Sequence, residues 1–130
     1  MDEGRFNLSK LTEKVRSYLQ ESLPRLAWVK EFKGAAIPNV PTGTVAAGEM
    51  EFVDTSKGAD MAVVAFSIYL IDPSSENGVE DMAMDVRQAL TANDTLDDMI
   101  QHGAVTKMQF GAVTGRAGAC LITYKAKVWM

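Results

Sequence analysis

A series of carboxylates in the second half of the chain offers the most obvious chemistry. Clustered carboxylates supply the oxygen ligands that Ca²⁺ and Mg²⁺ prefer in proteins. The spacing of this series, however, lacks the alternating Asp-x-Asp-x-Asp-Gly pattern of an EF-hand loop. Exposed helix faces and helix caps explain these residues more simply, so we predict no metal and no cofactor. The series consists of Glu76, Glu80, Asp81, Asp85, Asp94, Asp97 and Asp98.

The single histidine, His102, and the single cysteine, Cys120, are the residues that could support nucleophilic catalysis. A cysteine nucleophile needs a neighbouring base, and no motif places His102 beside Cys120. Cys120 falls at an apolar position of an alternating stretch, which predicts a buried thiol that acts as a small hydrophobic residue. No pair of carboxylates stands out for hydrolysis either. The sequence therefore predicts a protein that is not an enzyme.

The glycine-rich stretch from Gly111 to Gly118 resembles a phosphate-binding loop only superficially. A Walker A loop needs a lysine followed by serine or threonine and then a helix, whereas here Arg116 replaces the lysine and a strand follows. We predict a hairpin tip instead. Arg116 at such a tip is a candidate for contact with a partner, because its guanidinium forms forked hydrogen bonds with carboxylates.

The composition limits the classes of protein to which the chain can belong. A length of 130 residues predicts a single domain covering residues 1–130. The net charge of −4 argues against specific binding to nucleic acid, which requires a basic face. A lone cysteine and an acidic start without a signal peptide predict a reducing compartment. The longest apolar stretch, Met61 to Ile71, is too short to span a membrane.

Two amphipathic stretches predict helices. The first covers residues 8–23, begins at a cap formed by Asn7 or Ser9, and ends before Pro24. The second covers residues 79–92 and carries acidic side chains in its first turns, where they suit the helix dipole. Residues 94–101 are predicted to add a helical turn that folds three apolar side chains onto the core. These side chains are Leu96, Met99 and Ile100.

Alternating stretches between the helices predict three strands. In the first, residues 27–33, Trp28 and Phe32 are expected to face the same way. In the second, residues 44–54, Met50 and Phe52 are expected to face the core. The third covers residues 59–71 and is apolar on both faces, which is typical of a central strand or of one that meets another subunit. Glu49 and Glu51 of the second strand are expected to face outward.

Residues 104–130 predict a closing pair of strands that runs to the end of the chain. In the last strand the polar residues Thr123, Lys125 and Lys127 alternate with apolar residues, which is the pattern of a half-buried strand. The apolar positions are Cys120, Ile122, Tyr124, Ala126, Val128 and Met130. In the preceding strand, Met108 and Phe110 alternate with polar residues in the same way.

The order of these elements, α-β-β-β-α-β-β, predicts an α+β fold. Consecutive strands favour a mixed or antiparallel sheet of about five strands. We expect both helices to pack on one face of that sheet.

In layout, the chain resembles the tail terminator, or tail completion, proteins of long-tailed bacteriophages. The likeness covers nearly all of the chain and depends on the sequence of elements rather than on one motif. It begins with the amphipathic helix at residues 8–19 and continues with the strand at Trp28 and the proline loop at residues 40–43. The long strand at residues 63–71, the acidic helix with residues 86–90 and the final strand with residues 122–124 complete it.

This resemblance implies a structural part of the virion tail, assembled in the host cytoplasm. Such proteins form a ring, usually a hexamer, on the last ring of the tail tube, stop its polymerisation and present a surface to the head connector. The expected partners are other copies of the chain, the tail tube protein and the head-connector protein, without a membrane. The loops at residues 34–43, 54–58 and 111–118 are the expected contact surfaces. Within or next to them, the candidate contact residues are Arg116, Lys57, Gly115 and Thr42.

Two other hypotheses fit the sequence. One is an adaptor in another assembly, such as a different neck or tail part or a contractile injection or secretion device. The other is an α+β domain that binds a small ligand, which predicts a deep pocket with converging polar groups.

Overall fold

A computed structural model of the protein describes residues 6–32, 38–53, 61–74, 78–112 and 117–130. These ranges contain two helices and five strands in the predicted order, which confirms the α+β class. The elements are α1 (Leu8–Ser22), β1 (Ala27–Val29), β2 (Thr42–Val53), β3 (Met61–Asp72), α2 (Gly78–Ala92), β4 (His102–Ala112) and β5 (Gly118–Trp129).

The five strands form one mixed sheet in the order β1-β2-β3-β5-β4. The short strand β1 runs parallel to β2, and every other neighbouring pair is antiparallel. The central strand, β3, pairs with β2 on one side and with β5 on the other. Because β3 has side chains of β2 and β5 on both sides of it, its apolar residues are half-buried even on the face without helices.

Both helices pack on the same face of the sheet, as predicted. Alternate residues of β3 on that face, including Phe66 and Ile68, are fully buried. They join a single hydrophobic core with the apolar stripe of α1, which is formed by Leu11, Val15 and Leu19. The core also contains the stripe of α2 and the apolar positions of β5 from Cys120 to Val128.

The first helix begins and ends where its sequence predicts. Asn7 is extended, and its side-chain oxygen accepts a hydrogen bond from the backbone N–H of Lys10 at 3.1 Å, which caps the helix. At the other end, the N–H of Leu23 donates to the carbonyl of Leu19, and Pro24 follows. Capping at Asn7 settles the choice between the two predicted cap residues.

The other face of the sheet lacks a covering layer among the described residues. We call it the open face and define it by Met61, Val63, Ala65, Ser67 and Tyr69 of β3 together with the side chains in register with them on the neighbouring strands. These five residues are half-buried, whereas the alternate residues of β3 are fully buried.

The prediction that Trp28 and Phe32 face the same way is wrong. The strand β1 ends at Val29, and a bend follows, so the alternation of a strand does not continue to Phe32. Trp28 lies over Gly43 on the helix side, where a Cβ on the glycine would approach the indole ring to 2.5 Å. Phe32 reaches the open face instead, where its ring meets that of Tyr69 edge-on at 5.5 Å.

The predicted helical turn at residues 94–101 is also wrong in its backbone. Leu96, Asp97 and Asp98 have positive φ angles of 47°, 58° and 66°, which lie in the left-handed region. The side chain of Asn93 accepts a hydrogen bond from the N–H of Asp97 at 3.0 Å and so supports this turn. Leu96 is buried in the core as predicted.

Burial of the neighbouring apolar residues follows the prediction only in part. Ile100 is fully buried as expected, whereas Met99 is 40% exposed. The apolar contribution of this segment to the core therefore comes from Leu96 and Ile100.

Three apolar residues expected inside the protein are exposed because they lie at an edge or at an end of the sheet. Phe52, 70% exposed, is in register with Ala62 on the helix side, and Ala62 is fully buried. Beyond Thr44, however, β2 has no described strand on its outer side, so Phe52 lies at an edge of the sheet. Phe110 lies on the edge strand β4, although its partner Cys120 is fully buried, and Met130 follows the end of β5.

Candidate functional site

The structure describes one of the four predicted contact residues. Thr42 is the first residue of β2; it is buried, and its hydroxyl donates to the carbonyl oxygen of Val40 at 2.7 Å. Lys57, Gly115 and Arg116 lie outside the described residues.

The strand register shows that the segments carrying these residues join the sheet at opposite ends. Ala112 and Gly118, which flank the segment with Gly115 and Arg116, are in register with each other, and Gly118 is in register with Asp72. The next residue of β3, Ile71, pairs with Thr42, so these segments share one end of the sheet. Val53 and Met61, which flank the segment containing Lys57, pair at the other end.

The open face carries charge of opposite sign on its two sides. Glu49 and Glu51 of β2, both exposed, form what we call the acidic half. Lys125 and Lys127 of β5, with Lys107 of β4, form the basic half, and they are exposed as well. Two adjacent rows, read from β2 through β3 and β5 to β4, show this arrangement: Glu49, Ala65, Lys125, Ala104, and Glu51, Val63, Lys127, His102.

The two glutamates and two lysines of these rows make no ion pair with another described residue. The acidic and basic halves stand two strands apart, roughly 10 Å, with an apolar residue of β3 between them. Both halves are therefore available to groups outside the subunit. Sequence alternation shows that each of these residues faces outward, but only the strand order shows that they flank one apolar strip.

One end of the sheet presents a group of exposed apolar side chains, which we call the apolar end. Val53, Met61 and Trp129 are in register with one another across β2, β3 and β5. Trp129 is 54% exposed, and the neighbouring Phe52 and Met130 are also exposed. Apolar side chains gathered in this way are typical of surfaces that contact other proteins.

His102 and Cys120 do not form a catalytic pair. His102 is exposed, and its Nδ1 lies 3.4 Å from a carboxylate oxygen of Asp94. Cys120 is buried, and burial raises the pKa of its thiol to about 11. The residue opposite His102 is Lys127, which is seven positions from Cys120, so the two are about 23 Å apart along β5. They also face opposite sides of the sheet.

The carboxylates considered as a metal site are dispersed in the structure. Among the residues that the structure describes, no three His, Cys, Asp or Glu side chains are grouped so that they could hold a metal ion. Asp85 pairs with Arg25, and Asp97 pairs with Lys14 at 2.6 Å. The hydrogen bond from Lys14 is the main reason why the pKa of Asp97 is lowered. Glu76 lies outside the described residues.

A surface cleft of about 300 Å³ lies between the start of α2, the start of β2 and the end of β3. Its walls include Arg25, Pro41, Asp72 and Met82. Two of its three charged side chains already bind other groups in the protein, which leaves Asp81 as the one without a described partner. Arg25 pairs with Asp85, and Asp72 accepts hydrogen bonds from the N–H and hydroxyl of Ser74 at 3.0 and 2.8 Å. One free carboxylate does not provide the set of converging polar groups that a ligand site requires.

Comparison with known proteins identifies the fold. The chain matches no sequence-family profile and no curated protein sequence. It does match a chain in the structure of the virion of a native gene transfer agent (GTA) particle. The match has a TM-score of 0.54 and covers 92% of this chain and 95% of that chain, at 15% sequence identity. The two chains share a fold.

The shared fold extends over nearly the full length of both chains. Neither described helix is long and apolar enough to cross a membrane.

Proposed function

We propose that this protein is a structural subunit of a tailed phage-like particle and that it acts as the tail terminator. In this role, copies of the chain form a ring, hexameric in the proteins it resembles, on the last ring of the tail tube. The ring stops growth of the tube and presents a surface to the head connector. The protein is then located in the virion tail and has no catalytic role.

The observation that carries this proposal is the fold shared with a chain of a gene transfer agent virion over nearly the full length of both chains. The tail-terminator layout of the sequence narrows the role within such a particle. It includes an N-terminal amphipathic helix, a long central strand, an acidic second helix and a closing strand pair.

The arrangement of surfaces suits a ring that connects two other assemblies. A subunit of such a ring needs lateral surfaces for its neighbours and two separate ends for the tube and the connector. The open face, with its oppositely charged halves, supplies a lateral surface. The two ends of the sheet differ in character, since one presents the apolar end and the other presents the start of β2 and the cleft beside the start of α2.

Another neck or tail part of the same particle, or an adaptor of a contractile injection device, could share this fold. The genes on either side separate these roles, because a tail terminator gene is expected between genes for the tail tube and the head connector.

A direct test is the binding of the purified chain to isolated tail tubes. Gold-labelled chain should appear at a single end of each tube in negative-stain electron micrographs, because only the last ring of the tube offers the terminating surface. Soluble tail tube protein that polymerises in the presence of the chain should form shorter tubes than it forms alone. Gold along the whole tube, or none on it, would refute the proposal.

A further inference from the structure

The charges of the open face are arranged symmetrically about its central strand, β3. In one row of the register, Glu49 on β2 and Lys125 on β5 lie on either side of Ala65. The next row places Glu51 and Lys127 at the same two positions. No ion pair with a described residue neutralises these four charged side chains. Each carboxylate therefore has an ammonium counterpart in its own row, at the same distance from β3 on the other side.

A two-fold axis that lies along β3, midway between two stacked open faces, brings these opposite charges together. Such an axis places β2 of one copy over β5 of the other and keeps every row at its own level. Glu49 of one copy then faces Lys125 of the other, and Glu51 faces Lys127, so two copies form four pairs of opposite charge. An axis across the strands would instead place β2 over β2 and carboxylates over carboxylates. The charges thus favour one of the two ways in which the sheets can stack with their strands aligned.

The uncharged rows next to the charged rows are compatible with the same pairing. Val53 of one copy lies over Trp129 of the other, and Ala46 lies over Thr123. Along the axis, the half-buried β3 residues of one copy face those of the other. Stacked sheets lie about 10 Å apart, a distance that a glutamate and a lysine can bridge from opposite sides. Apolar side chains therefore occupy the centre of the contact, and the charged pairs lie on both sides of it.

We propose that the free protein forms a two-fold pair, in which the open faces of two copies stack with the acidic half of each over the lysines of β5 in the other. This inference concerns the chain before assembly and does not rest on the proposed function. In a ring of six copies, neighbours are related by a sixth of a turn and not by a two-fold axis. The pair therefore has to open before a chain joins a ring that uses the open face as a lateral surface.

The extent of the contact predicts a pair that dissociates readily. Three strands of 12 residues cover roughly 14 by 40 Å, because strands lie about 4.8 Å apart and rise about 3.3 Å per residue. Two copies together then bury roughly 1,100 Å², which is near the lower limit for a specific contact between proteins. We expect a dissociation constant in the micromolar range, so that single chains are available for assembly.

The experiment reverses the charges of one strand at a time. E49K/E51K carries only basic side chains in the two charged rows of β2 and β5, and K125E/K127E carries only acidic ones. Each variant alone should be a single chain at concentrations at which the wild type has twice the mass of the chain. Its dissociation constant should rise by about a hundredfold or more, because like charges then face each other. Sedimentation velocity and light scattering measure the mass.

Restoration of pairing distinguishes this contact from a general effect of charge. An equal mixture of the two variants should form mixed pairs with one copy of each, because every reversed strand then meets its complement. The four-fold variant E49K/E51K/K125E/K127E should pair with itself and not with the wild type.

A control variant matches the change in net charge. E21K/E80K alters the net charge by the same amount as E49K/E51K, at exposed positions on the two helices, and should pair like the wild type. If it became a single chain as well, the pairing would depend on net charge alone, and the inference would be overturned.

The remaining results decide the inference without deciding the proposed function. A wild type that stays a single chain at millimolar concentration, or that passes directly from single chains to rings, would overturn the pair. Reversed variants that pair like the wild type, or a mixture that fails to pair, would also overturn it. A wild type that caps tubes but never pairs refutes only this inference, whereas one that pairs but never caps tubes refutes only the terminator role.

Discussion

At the scale of single residues, the most constrained position is the ring of Tyr124 in the core. Tyr124 is fully buried beside Phe66, with their ring centres 6.2 Å apart. Its hydroxyl has no hydrogen-bond partner among the described residues. Burial is the main reason why the pKa of this hydroxyl is raised. A buried polar group without a partner usually costs stability, so close packing around the ring must offset this cost.

Gly103 makes this packing possible, and we predict that Gly103→Ala destabilises the protein. An added Cβ would lie 2.1 Å from the Tyr124 hydroxyl and 2.9 Å from a methyl group of Ile100, so the side chains would have to move. Overpacking of this kind costs about 1–3 kcal/mol in the free energy of unfolding, which urea denaturation measures.

Two control variants test the cause of that loss. Gly111→Ala lies in the same strand, has no atom within 4 Å of the added Cβ, and should change stability little. Tyr124→Phe should recover part of the loss when combined with Gly103→Ala, because it removes the nearest atom. If both glycine variants lost the same free energy of unfolding, the cause would be the backbone rather than contact with Tyr124.

Because its thiol is buried, we predict that Cys120 makes the protein less stable at alkaline pH. Burial raises the pKa of its thiol from about 9 to about 11. Below pH 9 the thiol is protonated in both states, and its contribution to stability is complete. Between pH 9 and 11 the thiol ionises in the unfolded chain first, which favours unfolding, so the free energy of unfolding falls as the pH rises.

Comparison of the wild type with Cys120→Ala isolates this effect. Urea denaturation at pH 8 and pH 10.5 should show a smaller alkaline loss in the variant than in the wild type. Equal losses in the two proteins would mean that other groups cause the alkaline sensitivity.

Predictions for single residues were right where the alternation of a strand alone decides whether a side chain is buried. The burial of Cys120 follows from its position in an alternating strand. The contact between Gly103 and Tyr124 could not be predicted, because it depends on the register of β4 with β5. That register shifts at an irregularity between Val105 and Lys107, which no residue type there signals.

At the scale of elements, the left-handed turn after α2 is the feature with the clearest energetic consequence. Three successive non-glycine residues, Leu96 to Asp98, adopt positive φ angles. Each such residue costs about 1–2 kcal/mol relative to ordinary backbone. Burial of Leu96 and the bonds of Asp97 with Asn93 and Lys14 compensate for this cost.

We predict that Asp98→Val destabilises the protein by about 1–2 kcal/mol, because a β-branched side chain is strongly disfavoured at a φ of 66°. Asp98→Gly is the matched control and should be neutral or slightly stabilising, since glycine adopts this backbone without strain. Both variants retain the backbone hydrogen bond from residue 98 to the Thr95 hydroxyl. Thermal unfolding measures the difference, and a tolerated valine would show that the turn does not require this backbone.

Element boundaries could be predicted well from periodicity and caps, as Asn7 and Pro24 show for α1. The left-handed turn at Leu96 to Asp98 could not be predicted, because leucine and aspartate have no strong preference for this backbone region. A hydrogen bond to the side chain of Asn93 supports the turn. The exposure of Phe52 was missed for a geometric reason. Alternation assigns the residue to the helix side, but that part of β2 forms an edge of the sheet, where no described strand lies beside it.

At the scale of the whole molecule, the sheet divides the protein into a side covered by two helices and an open side without a covering layer among the described residues. The helix side contains the core, whereas the open face keeps unpaired charges around an apolar strip. Composition and element order predict the α+β class, but the charged halves emerge only from the strand order. Because β5 lies between β3 and β4, its lysines come within two strands of Glu49 and Glu51.

The central claim is that the chain ends the tail tube and joins it to the head, and deletion of its gene in the particle-producing cell tests this claim most directly. Electron micrographs of the lysate should show tails longer than normal and heads without tails, and a copy of the gene supplied in trans should restore normal particles. Tails of normal length attached to heads in the deletion strain would contradict the claim.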